Sequence, residues 1–133
     1  MTAFSDYLEQ KVLGVTLLGS SYTCADTIYV ALATSCTTDG AVFNEVPAGT
    51  AYERTVVVFG SPSADGTKYQ VANSAAVTFA EATTPWNEIT HCGLYDSPTG
   101  GNQLYWGALT AARTILSGDT FEFPTGNLKV QLD

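Results

Sequence analysis

The sequence predicts an all-β protein: an antiparallel β-sandwich, jelly-roll or Greek-key-like, with one short N-terminal helix. Three observations point there. Short stretches rich in β-branched and aromatic residues recur along most of the chain. Glycine, proline and Asp-Gly punctuation separates nearly all of them, as in Asp65-Gly66, Gly100-Gly101, Gly118-Asp119 and Pro124-Thr125-Gly126. No helical pattern of crossover length lies between them, so a βαβ arrangement fails.

The helix is expected over residues 4–14, as a short helix or docking arm. Ser5 or Asp6 can cap it, and Glu9 lies three residues after Asp6, a rough capping box. Phe4, Leu8, Val12 and Val15 make an apolar stripe at helical spacing. Gly14 is the expected stop. Such a helix is too short to persist alone in water and must dock, on its own domain or on a neighbouring subunit.

The strands follow in order. Thr27–Ala33 places Ile28, Val30 and Leu32 on one face and Tyr29 on the other. Residues 34–51, rich in Thr, Gly, Ala and Pro, read as a long loop. Tyr52–Phe59 carries Val56-Val57-Val58-Phe59, expected to be covered on both sides. A turn over 60–66 precedes Tyr69–Val71, then Ala75–Phe79, Glu88–Tyr95, Gln103–Leu109, Ala112–Leu116, Thr120–Phe123 and Asn127–Leu132. The 133 residues are expected to form a single β-sandwich domain over 1–133, large enough to fold without staples.

The charge excludes several functions. Five basic residues face thirteen acidic ones, a net charge of −8, and the bases are scattered. Nucleic-acid binding needs clustered cations, so neither nucleic acid nor an anionic membrane is an expected partner. No apolar run is long enough for a transmembrane helix. Asp6 and Glu9 stand where a signal peptide would be basic. The charged fraction is only 14%, which suits a surface partly covered by partners.

Chemistry-bearing residues are few. Cys24, Cys36 and Cys92 follow no metal or disulfide spacing, although a Cys24–Cys36 bridge stays open. His91, the one histidine, sits mid-strand beside Cys92, and adjacent strand side chains point to opposite faces, so the two form no nucleophile pair. Glu81 with Glu88 flanks turns. Glu88 and Asp96 end one strand roughly 26 Å apart, too far for a glycosidase pair. Asp96, Ser97, Thr99 and Asn102 share a loop, but with one carboxylate they fall short of a calcium site. No catalytic residue, metal or cofactor is expected. The aromatics Trp86, Tyr95, Tyr105 and Trp106 are the more informative group, divided between core, contact surface and sugar platform. The expected interface residues are Phe4, Leu8, Val12, Trp86, Tyr105 and Trp106.

The stretch Asn73-Ser74-Ala75-Ala76-Val77-Thr78-Phe79, then Ala82-Thr83, Trp86 and Ile89-Thr90-His91-Cys92-Gly93-Leu94-Tyr95-Asp96, resembles a family of small tailed-bacteriophage virion structural proteins, often labelled tail-fibre proteins. Gly100-Gly101-Asn102, Leu104-Tyr105, Gly107-Ala108-Leu109-Thr110, Gly118-Asp119-Thr120 and Gly126-Asn127-Leu128-Lys129-Val130 continue the likeness. Ser5-Asp6-Tyr7-Leu8-Glu9 is similar to the family's opening. Cys92 and Leu94-Tyr95 depart from the usual residues there. The resemblance implies a non-enzymatic β-rich virion component, assembled in the host cytoplasm. The leading expectation is a capsid decoration (cement) protein, a homotrimer or other cyclic homo-oligomer, stabilising the head by contacts with the major capsid protein or other virion proteins. The alternatives are a tail-fibre or tail-tip component adhering to host glycan through Trp86 and Trp106, and a free carbohydrate-binding module.

Overall fold

The computed structural model describes residues 3–37 and 41–133. The order of elements is β1 (Ala3–Phe4), α1 (Asp6–Leu17), β2 (Ile28–Cys36), β3 (Phe43–Glu45), β4 (Thr55–Val57), β5 (Ser63–Asp65), β6 (Lys68–Ala72), β7 (Val77–Thr78), β8 (Asn87–Tyr95), β9 (Gln103–Ile115), β10 (Glu122–Phe123) and β11 (Lys129–Leu132). The protein is mostly β, with one N-terminal helix, and each strand pairing among the described residues is antiparallel.

The large sheet runs β1-β9-β8-β2-β3, with β4 also pairing β2. β8 lines one edge of β2 over Tyr29–Ala33. β4 and β3 divide the other edge, at Ile28–Val30 and Ala33–Cys36 respectively. Two small sheets, β10-β7 and β11-β6-β5, complete the fold. One core joins all three. Val30, Leu32, Ile89, Cys92, Leu94 and Ile115 come from the large sheet, and Val77, Phe123 and Val130 from the small ones. Period-2 alternation produces this: Val30 and Leu32 face the core, while Ala31 and Ala33, equally buried, face the opposite way. That second face is built close. A Cβ on Gly93 would lie 3.2 Å from the rings of Phe43 and Tyr95.

The core is aromatic at its centre. Tyr52 stacks on Phe79 at 6.1 Å and meets Trp86 edge-on at 5.5 Å. Phe79 meets Phe121 at 5.9 Å, and Phe121 meets Phe123 at 5.0 Å. Edge-to-face geometry sets the positive ring edge against the negative face, which adds to the gain from area burial.

Helix α1 differs from the expected 4–14. Phe4 lies in β1, opposite Tyr105 on β9, so the chain enters as a strand. Ser5 is the N-cap: its Oγ accepts from the Leu8 N–H at 3.2 Å and donates to the Gln103 carbonyl, while its own N–H donates to the Leu104 carbonyl at 2.9 Å. One residue thus caps the helix and ties it to β9. Asp6 and Glu9 in the first turn complement the helix dipole. Gly14 does not stop the helix. It packs against Ser20, whose Cβ lies 3.3 Å from where a Cβ on Gly14 would sit, and its carbonyl accepts from both Leu18 and Ser20. The stop falls at Gly19, with φ +67°, where a left-handed residue is needed.

Other boundaries also moved. The loop expected over 34–51 contains the end of β2 and all of β3, because Phe43–Glu45 finds a partner in Ala33–Cys36; its residues 38–40 lie outside the described ones. β4 is shorter than the expected 52–59 strand and is covered on one side only. Val57 is buried, but Val56 and Val58 are exposed. Ser63–Asp65, expected as turn, pairs with Lys68–Gln70 as a tight hairpin about Gly66, whose φ is +62°. The two strands expected over 103–116 are one, β9. Its partner β8 sets only Thr90 against residues 109–112, so β9 bulges outward there before pairing resumes at Arg113 with Ile89.

Candidate interaction surface and the Arg54 cluster

A cleft of about 840 Å³ opens between β3, the segment leading into β4 and the β8–β9 loop, with Glu45, Tyr52, Arg54, Thr83 and Gly100 in its wall. Its polar centre is Arg54. Nε and Nη2 donate to the two oxygens of Glu45, each at 2.8 Å, and Nη1 donates to the carbonyls of Ser97 at 3.0 Å and Gly100 at 2.8 Å. The guanidinium lies 3.7 Å from the centre of the Tyr95 ring, a cation–π contact. The Tyr52 hydroxyl donates to Glu45 Oε1 at 2.8 Å and accepts from the Leu32 N–H at 2.9 Å. Burial works against the charge on Arg54, but the hydrogen bond to Glu45 and its negative charge raise the pKa above the ordinary value. Burial, then the Glu45 charge, push the Tyr52 hydroxyl far up, so it stays protonated.

The β8–β9 loop is shaped to meet Arg54. Asp96 accepts from the Asn102 backbone N–H at 2.7 Å and from its side-chain amide at 2.9 Å. Gly101, at φ +68°, sits so close that a Cβ would come within 2.5 Å of Asp96 Oδ1 and of Ser97 Cβ. Glycine alone fits there. The cluster therefore staples β3 to two loops. Arg54 and Glu45 are engaged with each other and with carbonyls, which suits a structural brace rather than a nucleophile or an acid–base pair.

The remaining chemistry-bearing residues stay apart. Thr90 Oγ1 donates to the Thr34 carbonyl at 2.9 Å and contacts His91 Nδ1 at 2.7 Å. Cys24, Cys36 and Cys92 are free thiols, exposed, half-buried and buried respectively. Glu81 and Glu88 are exposed, and Asp96 is engaged by Asn102. Among the described residues, no three His, Cys, Asp or Glu side chains gather as a metal site. No helix there is long and apolar enough to cross a membrane.

The six expected interface residues separate. Trp86 is a core residue, 1% exposed, with its indole N–H donating to the Thr50 carbonyl at 3.0 Å. Its large ring fills the centre between Tyr52 and Phe79, which withdraws it from any surface. Leu8 is buried as well, in the first turn of the helix, where its backbone N–H meets the Ser5 cap. Phe4 and Tyr105 are half-buried and meet edge-on at 5.2 Å. Trp106 is half-buried, and its indole donates to the Phe4 carbonyl at 3.2 Å. Val12 is exposed. Sequence reasoning missed Arg54. The local signal was a lone cation directly after Tyr52-Glu53 and nine residues from Glu45, in a chain with only five bases.

The family described as Podophage GP4 fiber I protein gp80 matches residues 3–131. The chain belongs to that family. It is accordingly a virion structural protein, a tail-fibre component by family, and such a component associates with other virion proteins. No curated protein matches the chain. Between the two virion roles expected from the sequence, the match favours the fibre alternative and gives no support to head decoration.

Proposed function

We propose that this protein is a non-enzymatic module of the phage fibre apparatus that works by shape and contact, held in place by other virion proteins in a cyclic homo-oligomer. The observation that carries the reading is the family match across residues 3–131, nearly the whole chain. The side-chain chemistry agrees with it. The strongest polar cluster is internally satisfied, and no buried side-chain nitrogen or oxygen among the described residues lacks a hydrogen-bond partner. Host adhesion through a Trp86 platform has lost its motive, because that ring is inside.

The test is electron microscopy of particles labelled with an antibody against this chain. Label at the fibres or tail is the expected result. Label distributed over the head surface would overturn the fibre assignment and restore decoration.

A further inference from the structure

Among the described residues, every hydrogen bond that ties residues 3–27 to the rest of the protein passes through Ala3–Ser5. Ala3 and Phe4 pair with Trp106 and Tyr105 on β9. The Ser5 N–H donates to the Leu104 carbonyl and its Oγ to the Gln103 carbonyl, and the Trp106 indole donates to the Phe4 carbonyl. From Asp6 to Ser20 the bonds stay inside the segment. Thr16 Oγ1 donates to the Val12 carbonyl, and the Leu18 and Ser20 N–H groups donate to that of Gly14. Ser21–Thr27 make none among the described residues. After Gly19 the chain folds back along the helix. Tyr22 meets Tyr7 edge-on at 6.4 Å, and Tyr22 and Cys24 come near Tyr105 without bonding to it. The apolar anchorage is equally thin. Leu8 is the one buried helix residue, and it stands outside the cluster that joins the three sheets.

We infer that residues 3–23 are a strap that opens as one unit while the three sheets stay folded, with Ser5 as its latch and residues 24–27 as its hinge. A segment with few buried apolar contacts and one short line of attachment opens at a lower cost than the core does. It opens as a unit because Ser5 serves two structures at once. Its Oγ caps α1 at the Leu8 N–H while holding the Gln103 carbonyl, so release from β9 loosens the cap. A twelve-residue helix is marginal alone in water, so undocking and unwinding go together. The hinge suits its part. Cys24 and Asp26 are exposed, and the chain bends at Asp26-Thr27 just before β2 begins at Ile28. Opening bares the outer edge of β9 over Gln103–Trp106, continuous with the stretch beyond Trp106 that has no partner there among the described residues. The chain thereby changes its contact surface without unfolding its core. This concerns how the chain moves and stands whatever its place on the particle.

The test is hydrogen exchange on the full chain, read by NMR at backbone amides and at the two indoles. Trp106 reports from the latch, while Trp86 is 1% exposed and donates to the Thr50 carbonyl inside the core. The amides of Leu8–Leu17 and the Trp106 indole are expected to share one protection factor, at least ~100-fold below that of the Trp86 indole and the amides of β2 and β8. A disulfide across the latch then closes the strap. Phe4→Cys with Tyr105→Cys places it between residues that face each other on β1 and β9, with Cys24→Ser so that the nearby native thiol does not compete. Oxidised, this variant should protect the helix amides at least ~10-fold more than the same variant reduced. Ser5→Ala serves if the cysteine variant does not fold. It should speed the helix amides and the Trp106 indole by one common factor and leave the Trp86 indole unchanged. Helix amides as protected as those of β8 overturn the inference. So does graded fraying from Leu17 backwards with the Trp106 indole as slow as that of Trp86, and so does a latch disulfide that changes nothing.

Discussion

Asn73 sits 2% exposed among the small sheets and makes one side chain do the work of a turn. Its amide nitrogen donates to the carbonyls of Ala75 at 2.9 Å and Pro124 at 3.0 Å, and its oxygen accepts from the Leu128 N–H at 2.9 Å. Those backbone groups are near the core and have little water to replace it. Asn73→Leu keeps the volume and strands them, so we expect a loss of about 3 kcal/mol or more in urea unfolding. Cys92 gives a different readout. Burial raises its thiol from the ordinary 9.0 to about 12. The folded state thus holds a proton that the unfolded state has released. Stability from this group is whole below pH 9 and is lost as pH rises through about 12. Tyr52 and Tyr95, also raised by burial, act in the same direction at higher pH. Cys92→Ala should make the fall in melting temperature between pH 9 and 11 shallower. An unchanged slope would show that the thiol is not desolvated as the fold implies.

Among the elements, α1 and β9 depend on each other. The helix has one buried residue and is anchored at its first turn, where Ser5 caps it and holds two β9 carbonyls. Ser5→Ala removes the cap and the Gln103 contact together. The expected cost is about 1–2 kcal/mol. Amide exchange should show the effect concentrated over Asp6–Leu17, with β8 protected as before. Beyond Trp106, β9 has no partner on its outer edge among the described residues, since β1 pairs only Tyr105 and Trp106. The bulge at 109–112 bends that edge, a known way of discouraging edge-to-edge pairing.

At the scale of the whole molecule, the Arg54 cluster holds parts that the core does not reach. It joins β3, the approach to β4 and the β8–β9 loop across 46 residues of sequence, from Arg54 to Gly100. The Arg54 side chain is only 8% exposed, and Glu45 26%. Arg54→Met therefore leaves a shielded carboxylate without its cation and the carbonyls of Ser97 and Gly100 without their donor. We expect a loss of about 3 kcal/mol in urea unfolding. Arg54→Met with Glu45→Gln should recover part of it, as a double-mutant cycle would show. Additive effects would mean that the pair contributes nothing as a pair.

Much of this was legible in the residues. Alternation over Ile28–Leu32 placed Val30 and Leu32 in the core, Ser5 and Asp6 announced a helix, and glycine-rich joints marked most turns. The motifs over 73–126 pointed to a virion family, and the match over 3–131 agrees. What the sequence could not specify depended on partners far along the chain. Residues 43–45 became a strand only because Ala33–Cys36 offers an edge. Val56 and Val58 are exposed because none of the described residues covers that side of β4 and the residue after it. Trp86 went inside because Tyr52 and Phe79 leave a space of its size, and Arg54 became a brace because Glu45, Ser97 and Gly100 converge on it. Local patterning sets which residues alternate and where the chain turns, since those energies act over a few residues. Which apolar face is covered, and which cation is paired, is settled only when distant segments meet, and that belongs to the tertiary structure.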